Sequence, residues 1–543
     1  MATTTMFARD DGPVRWQIYL GFFALFLGIV MGLFQAIDRA NVDVYNSVGL
    51  QSYWQGLTLH GVLNVLVFTF AFNAGFLTFV TMRSLGRPMA VHALTQAQFW
   101  LMFVGVVLAG IAMLLNQATV LFTFYPPLSA SPIFYLGLVL VVVSTWVTLA
   151  NIALTVQAWR RDNPGQRVPL QAYMSLATYL MWTLCSVGVA AEVLALILPW
   201  VLGLVPKIDP QLSRTFFWLT GHAIVYFWLL PVYVSWYTML PAQVGGKLSS
   251  DPLARFVFSL FIVLSIPVGL HHQYTDPGVP VAYKYIQAIL TFGVFFPSVI
   301  TAFTVIAALE NGGRARGGKG MLTWIFKLPW GDPSVAAQLL AGLAFLAGGI
   351  SGLVNASYNV NQVVHNTSFI PGHFHLTIGT AVTLSIMGIA FWLIPALTGR
   401  KLFSQRLAQA SVWGWIIGVA IMSRGVSQAG MEGQPRRFYA SAAPYHLASW
   451  DIPNLMQAVG GTIMFIGGIL FFVVLVGTLF FSKERVEVKM PMVEVLVPAE
   501  KGAPIYTDRI YTWVGISVAL ILISYGPYLV TYLANPAFVS PPR

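Results

Sequence analysis

Long runs of apolar residues alternate with short polar or Gly/Pro-rich connectors along the whole chain. Each run is long enough to cross the hydrocarbon core of a bilayer as a helix, which takes about 20 residues. The connectors are too short to fold by themselves, so residues 1–543 are predicted to form a single transmembrane domain. The pattern predicts an all-α polytopic membrane protein of about 13 helices, at residues 16–37, 57–80, 98–121, 133–158, 171–199, 215–240, 254–271, 284–309, 335–354, 372–397, 408–424, 455–481 and 510–533.

Composition supports a membrane protein, because 57% of the residues are hydrophobic and only 9% are charged. The net charge of +11 would also suit a nucleic-acid-binding protein. With the N-terminus inside, however, 21 of the 29 Lys and Arg residues fall on the cytoplasmic side, as the positive-inside rule requires. The excess of basic residues is therefore explained by the orientation of the chain in the membrane. We expect a cytoplasmic N-terminus, an outer C-terminus and no nucleic-acid partner.

Cysteine content limits the metal chemistry of this chain. Cys185 is the only cysteine, which excludes an iron–sulfur cluster or a dicopper centre built on two cysteines of this chain. Any such centre must lie on a partner.

Six of the nine histidines lie at the ends of predicted spans, all in the outer third of the membrane. A single histidine there is as readily a hydrogen-bonded interior residue as a ligand, but six at one depth on four spans indicate metal binding. Imidazole binds copper and haem iron. The sequence therefore predicts a haem and copper protein, with His60, His222, His271, His272, His373 and His375 as candidate ligands.

Histidine spacing separates their candidate roles. His373 and His375 are two positions apart, about 200° around a helix, so they face opposite sides and can serve two haems. His271 and His272 are adjacent and can share one metal only if the helix loosens before them, which the nearby Pro267 favours.

A third ligand to that shared metal is needed, and His222 is the remaining candidate. Tyr226 lies at i+4 from it, on the same helical face. A phenol beside a metal ligand can donate both an electron and a proton.

Several sequence stretches resemble subunit I of the haem–copper terminal oxidases, and within that family the B class of ba-type cytochrome c oxidases. The resemblance covers nearly the whole chain. It is carried by GLTLHGVLN at 56–64, FFWLTGHAIVYFWLLP at 216–231, GLHHQYTDPG at 269–278, HNTSFIPGHFHL at 365–376 and QPRRFY at 434–439.

The resemblance implies a catalytic site of two haems and one copper ion (CuB) that reduces dioxygen to water, coupled to proton uptake and translocation. A b-type low-spin haem would be held by His60 and His375, and an a-type high-spin haem by His373, with Phe374 between them. The resemblance also implies that His222, His271 and His272 bind CuB, and that Tyr226 is covalently joined to His222. Haem propionates would be contacted by Arg436, Arg437 and His365.

Two positions depart from the family pattern. The family commonly has an aspartate where this chain has Asn361, which puts a carboxylate-based proton-loading role in doubt. It usually has proline where this chain has Ala223, which leaves the copper ligand in place.

Proton uptake in the resembled class follows a K-type path, to which Tyr226, Tyr233, Tyr237, Ser298 and Thr301 correspond. Ile224 replaces the glutamate of a D-type path. A hydroxyl in a helix more often makes a local hydrogen bond, so these residues depend on the resemblance. Glu192 is a carboxylate inside a predicted span. This carboxylate either takes part in proton transfer or stays protonated and only makes a hydrogen bond, and the sequence does not decide between the two.

Partners and location are implied as well: a subunit II with a dicopper centre, a small helical subunit, cytochrome c as electron donor, membrane lipid and dioxygen, in a prokaryotic plasma membrane. Quinol is not excluded as donor. Two alternatives remain, a nitric oxide reductase-like subunit, which Tyr226 disfavours, and a non-catalytic membrane cytochrome or transporter.

Overall fold

The structure is a computed structural model, and it describes residues 6–498 and 506–534. Twelve helices in these ranges are long and apolar enough to cross a membrane, and a thirteenth, shorter helix lies between the sixth and seventh of them. In chain order the helices are α1 Ala8–Asp38, α2 Tyr53–Leu85, α3 His92–Leu114, α4 Pro132–Asp162, α5 Leu170–Val201, α6 Pro210–Gln243, α7 Asp251–Leu264, α8 Val281–Ala315, α9 Pro333–Ala356, α10 Phe369–Thr398, α11 Gln405–Met431, α12 Ala448–Phe481 and α13 Ile510–Ala534.

Each predicted span coincides with one helix, and the main difference is α7. Its 14 residues extend for about 21 Å at 1.5 Å per residue, which is less than the predicted segment 254–271. The chain then continues through Pro267 into a 3₁₀ turn at Gly269–Gln273. Proline removes a backbone donor and crowds the preceding turn, so the α-helix ends before it. The α-helix is therefore interrupted ahead of the paired histidines, as predicted, but the turn that carries them is the tighter 3₁₀ form and not a loosened α-helix.

Local sequence sets the helix ends. The side chains of Asp209 and Asp332 accept hydrogen bonds from the first backbone N–H groups of α6 and α9, as expected of N-caps. Gly86 and Gly399 end α2 and α10 in the left-handed conformation, with φ of 62° and 64°, which glycine adopts without a steric penalty.

A small sheet and one close helix pair complete the fold. Strands β1 Lys247–Ser250 and β2 Glu494–Val497 pair in parallel. Helices α11 and α12 approach so closely that a Cβ on Gly418 or Gly460 would collide with the backbone of the other helix. Small residues allow such contact between membrane helices, where no hydrophobic driving force acts.

Candidate metal centres

Three of the predicted ligands converge at one point. His222 lies where α6 is interrupted, between Gly221 and Ala223, and the 3₁₀ turn brings His271 and His272 to meet it. One ligand atom from each of the three lies within 4.8 Å of the others. The Nε2 atom of His222 is buried without a hydrogen-bond partner. The Nδ1 atom of the same ring lies 3.3 Å from Nε2 of His272, so ring nitrogens from two elements face each other, and the arrangement fits a bound metal ion.

Neighbouring groups orient these rings. The Thr291 hydroxyl donates to the backbone oxygen of Gln287 at 2.6 Å, so it accepts from Nδ1 of His271, 2.9 Å away. This leaves Nε2 of His271 free as a ligand atom. The ring of Trp218 stacks on His272 with 3.7 Å between ring centroids and 4° between planes. Two of the three rings are therefore fixed before a metal binds.

Tyr226 and the predicted proton-path residues form a row along α6 and α8. The ring of Tyr226 lies 5.0 Å from that of His222. Further along α6, the hydroxyls of Tyr233 and Tyr237 lie 3.5 Å and 3.0 Å from the hydroxyls of Ser298 and Thr301, respectively. The structure thus pairs Tyr233 with Ser298 and Tyr237 with Thr301, and both tyrosines lie on the same helix as Tyr226.

A second pair of histidines faces across a gap. The rings of His60 on α2 and His375 on α10 are nearly parallel, 16° apart, with 6.2 Å between their centroids. An iron ion bound by both, with each nitrogen about 2 Å from the metal as for other first-row ions, would separate the centroids by about 6 Å. The Nδ1 atoms donate to the backbone oxygens of Gly28 and Pro371, both at 2.8 Å. The Nε2 atoms therefore face the gap.

The cavity around this pair has room for a flat group because small residues line it. Gly32, Gly61, Gly379 and Gly461 all face it. A Cβ on Gly32 would lie 2.8 Å from the His60 ring, a separation that real Cβ atoms do not show. The glycine is thus required for the histidine to take its position.

His373 points away from His375, as the spacing predicts. Its Nδ1 atom donates to the Ser351 hydroxyl at 2.9 Å, which donates in turn to the backbone oxygen of Gly348. The ring also interacts electrostatically with His222 and His271. His373 therefore belongs with the three-histidine cluster, and its free Nε2 fits a second haem iron.

Phe374 lies between two cavities, because it lines both the one around His60 and a second one between α4, α5 and α6. The second cavity is lined almost entirely by apolar side chains and reaches His272. Cavities of this kind stay dry and accept small apolar molecules.

Two partly buried arginines line the first cavity. Arg436 and Arg437 both line it, and neither has a carboxylate within ion-pair distance among the described residues. Burial, and the neighbouring Arg437, lower the pKa of Arg436 to about 9. Arg437 also adopts a φ of +63°, a strained conformation for arginine. Two partly buried cations without a neighbouring carboxylate favour an anion, and haem propionates fit.

The remaining predicted residues take defined positions nearby. Nδ1 of His365 donates to Oδ1 of Asn361 at 3.0 Å. Burial, with Arg214 and Arg436 nearby, lowers the pKa of His365 to about 4. Ala223 is buried directly after His222. Glu192 is fully buried and accepts from the Ser213 hydroxyl at 2.6 Å, which places it in contact with α6 but outside the row of hydroxyls.

Several supporting residues were not predicted from the sequence. Thr291, Ser351 and Trp218 hold histidine rings in place, and Gly32 leaves the space that the His60 ring occupies. One signal was available for Trp218, which lies at i−4 from His222 and so shares its helical face.

Comparison with known proteins agrees with this geometry. Residues 12–463 match the family described as Cytochrome C and Quinol oxidase polypeptide I. The chain is 44% identical over 526 residues to cytochrome c oxidase subunit 1 of Thermus thermophilus, covering 94% of this chain and 93% of that protein. It is 25% identical over 492 residues to a probable quinol oxidase subunit 1 of Staphylococcus aureus, covering 86% and 70%. A cryo-EM structure of a heme-copper terminal oxidase dimer matches with a TM-score of 0.92 at 36% identity, covering 98% of this chain and 95% of that chain.

The chain therefore belongs to the cytochrome c and quinol oxidase subunit I family. It is the oxygen-reducing subunit of a haem–copper terminal oxidase, and the family implies both haem and copper. The resemblance to this family is confirmed, and the two alternatives, a nitric oxide reductase-like subunit and a non-catalytic cytochrome or transporter, are disfavoured.

Proposed function

We propose that dioxygen is reduced between His373 and the cluster of His222, His271 and His272, with electrons arriving through a low-spin haem held by His60 and His375. The convergence of the three imidazoles, with Nδ1 of His222 3.3 Å from Nε2 of His272, carries this proposal. Bound haem iron and copper supply the redox chemistry. The protein residues hold, orient and shield these groups, and deliver protons.

Tyr226 is the proposed local donor of an electron and a proton. Its ring lies beside His222, a proposed copper ligand, so a hydrogen atom released there is delivered where oxygen is reduced. A covalent bond between the two rings is part of the proposal and follows from the resemblance.

Protons for water formation are proposed to follow the row of hydroxyls to Tyr226, and their uptake is proposed to be coupled to proton translocation. Tyr237 with Thr301 and Tyr233 with Ser298 supply successive hydroxyl pairs at 3.0 Å and 3.5 Å. Hydroxyls both donate and accept, so such a row can relay a proton if water bridges the remaining gaps.

The haem types and propionate contacts extend the proposal. A b-type haem is proposed between His60 and His375, with its propionates held by Arg436 and Arg437, and an a-type haem on His373 with His365 near a propionate. The positive charge of the two arginines, which line the cavity, supports the propionate contacts, and the haem types follow from the resemblance.

Dioxygen is proposed to arrive through the apolar cavity between α4, α5 and α6. That cavity ends at His272 and Phe374, next to the proposed copper site. An apolar route suits dioxygen, which partitions into lipid, and it keeps protons out of the same path.

Partners and orientation complete the proposal. The chain lacks the two cysteines of a dicopper centre, so a subunit II carrying that centre is proposed to pass electrons from cytochrome c to the low-spin haem. A small helical subunit and surrounding lipid are further proposed contacts. The distribution of Lys and Arg supports a cytoplasmic N-terminus and an outer C-terminus in a prokaryotic plasma membrane.

The test uses the purified complex. We expect two haems and one copper ion per subunit I beyond those of subunit II, a carbon monoxide difference spectrum from only one haem, and oxygen consumption driven by reduced cytochrome c. The Tyr226→Phe variant should keep both haem spectra and lose oxygen reduction. A complex with no haem that binds carbon monoxide would contradict the proposed oxygen site, and activity with quinol alone would contradict the proposed donor.

A further inference from the structure

The C-terminal helix α13 packs against the turn that carries two of the proposed copper ligands. Tyr525 of this helix is only 2% exposed. It forms a small apolar cluster with Leu270, which directly precedes His271, and with Val279, Tyr528 and Tyr532. This cluster is separate from the main core of the protein. Helix α13 therefore encloses one side of the turn.

Gly269, at the start of that turn, is held between two helices. A Cβ placed on it would lie 2.5 Å from the Tyr525 hydroxyl and would overlap the backbone oxygen of Trp218 on α6. The Tyr525 hydroxyl has no hydrogen-bond partner among the described residues, so it contacts the turn by close packing. The turn is thus clamped between α6 and α13, with little room to relax in either direction.

Helix α13 is itself anchored to the two elements that present the copper ligands. The Ser517 hydroxyl donates to the backbone oxygen of Ile262 on α7 at 2.8 Å. The Tyr532 hydroxyl lies 3.0 Å and 2.8 Å from the two carboxylate oxygens of Asp209, the N-cap of α6. These contacts lie on either side of Tyr525 along the helix, so they fix its position relative to both α6 and α7.

We propose that Tyr525 is a positioning residue that keeps the turn Gly269–Gln273 in the shape that lets His271 and His272 converge with His222. Adjacent residues point about 100° apart in an α-helix and about 120° apart in a 3₁₀ turn, so two neighbouring histidines can share one metal only if the backbone of the turn is held where both side chains can reach it. The inference rests on the proposed copper site. It assigns the C-terminal helix a part in building that site.

Changes to groups that support metal ligands typically lower metal affinity by 10–100-fold. Because Tyr525 contacts the backbone of the turn and not an imidazole, we expect the lower end of this range, about 10-fold, for Tyr525→Leu. Tyr525→Phe keeps the ring in the cluster and should lose less affinity. Tyr511→Leu is the matched control, since Tyr511 lies on the same helix and is 83% exposed.

The experiment compares the purified complexes carrying these variants. Copper affinity is measured by competition with a Cu(I) chelator, and the geometry of the site by the infrared band of carbon monoxide photolysed from haem onto copper. We expect weaker copper binding and a broadened band in Tyr525→Leu, a shifted band in Tyr525→Phe, and no change in Tyr511→Leu. The low-spin haem spectrum should be unchanged in all three.

A purely structural role for Tyr525 predicts a different result. If the variants lower thermal stability but bind copper as tightly as the unaltered complex and give the same band, the proposal is overturned. If the Leu variant does not assemble, the Phe variant decides through its band. An unaltered complex with no copper-bound carbon monoxide would instead refute the copper site itself, and this inference with it.

Discussion

Replacing Thr291 by valine removes one hydroxyl while nearly preserving side-chain shape. In the native protein that hydroxyl accepts a hydrogen bond from Nδ1 of His271, a residue that is 5% exposed. In Thr291→Val the imidazole N–H loses this acceptor inside the protein. A buried donor left without its partner costs about 1–3 kcal/mol.

The expected magnitude lies at the low end of that range, because the His271 ring also packs against the rings of His222 and His272, with centroids 4.5 Å and 4.2 Å away, and these contacts still hold it. A loss of about 1–1.4 kcal/mol corresponds to about a 5- to 10-fold decrease in copper affinity. Copper competition with a Cu(I) chelator, on the purified complex, measures it.

A matched control lies on the same helix. The Thr304 hydroxyl donates to the backbone oxygen of Ile300 at 2.7 Å and contacts no histidine among the described residues, so Thr304→Val should leave copper affinity unchanged. Equal affinities in Thr291→Val and the unaltered complex would refute the assignment of Thr291 as the group that orients His271. An equal loss of copper affinity in Thr291→Val and Thr304→Val would instead show that any such change in α8 weakens copper binding.

Three further variants test the haem sites and the proton path. Gly32→Ala places a Cβ 2.8 Å from the His60 ring, and the overpacking costs about 1–3 kcal/mol. We expect a lower content of low-spin haem, measured by optical spectroscopy. Gly110→Ala is the control, because Gly110 has open space around it, and it should leave the haem content unchanged. Ser351→Ala removes the acceptor of the His373 N–H, so the iron–histidine band in resonance Raman spectra should move to lower frequency. Tyr237→Phe breaks the 3.0 Å contact with Thr301 and should slow oxygen reduction about 100-fold or more while both haem spectra stay unchanged; normal turnover would exclude this residue from the path.

The helices were predictable because lipid imposes a strong constraint on sequence. A spanning segment must be apolar over about 20 residues and must satisfy its backbone internally, so hydropathy alone locates each span. The ends were less accurate: α1 begins at Ala8, where residue 16 was predicted. Its first turns carry Asp10 and Asp11, which are helical but polar, and hydropathy does not detect helix in polar residues.

The histidines of the site were predictable from residue type and depth, but the groups that orient them were not. Thr291 and Ser351 are hydroxyl residues in helices, where the usual partner is a backbone oxygen one turn earlier. Both do make that local bond, and each also reaches a histidine on another element. Which hydroxyls do so depends on the rotation of neighbouring helices about their axes, which the sequence pattern does not specify.

The backbone beside the haem ligands shows how the protein fixes them. Shortly after His60 and His375, α2 and α10 widen into π-helical turns, at Val62–Phe68 and Thr377–Val382. A π turn changes the hydrogen-bond register and leaves a carbonyl group without its usual partner, so it persists only where other groups compensate. In α10 the Thr377 hydroxyl donates to the backbone oxygen of His373 at 3.1 Å, and in α2 the Thr69 hydroxyl donates to that of Val65 at 2.7 Å. Threonine hydroxyls thus add hydrogen bonds to backbone oxygens at both widened turns, which helps the ligand-bearing helices keep an irregular shape in a membrane that supplies no water to do so.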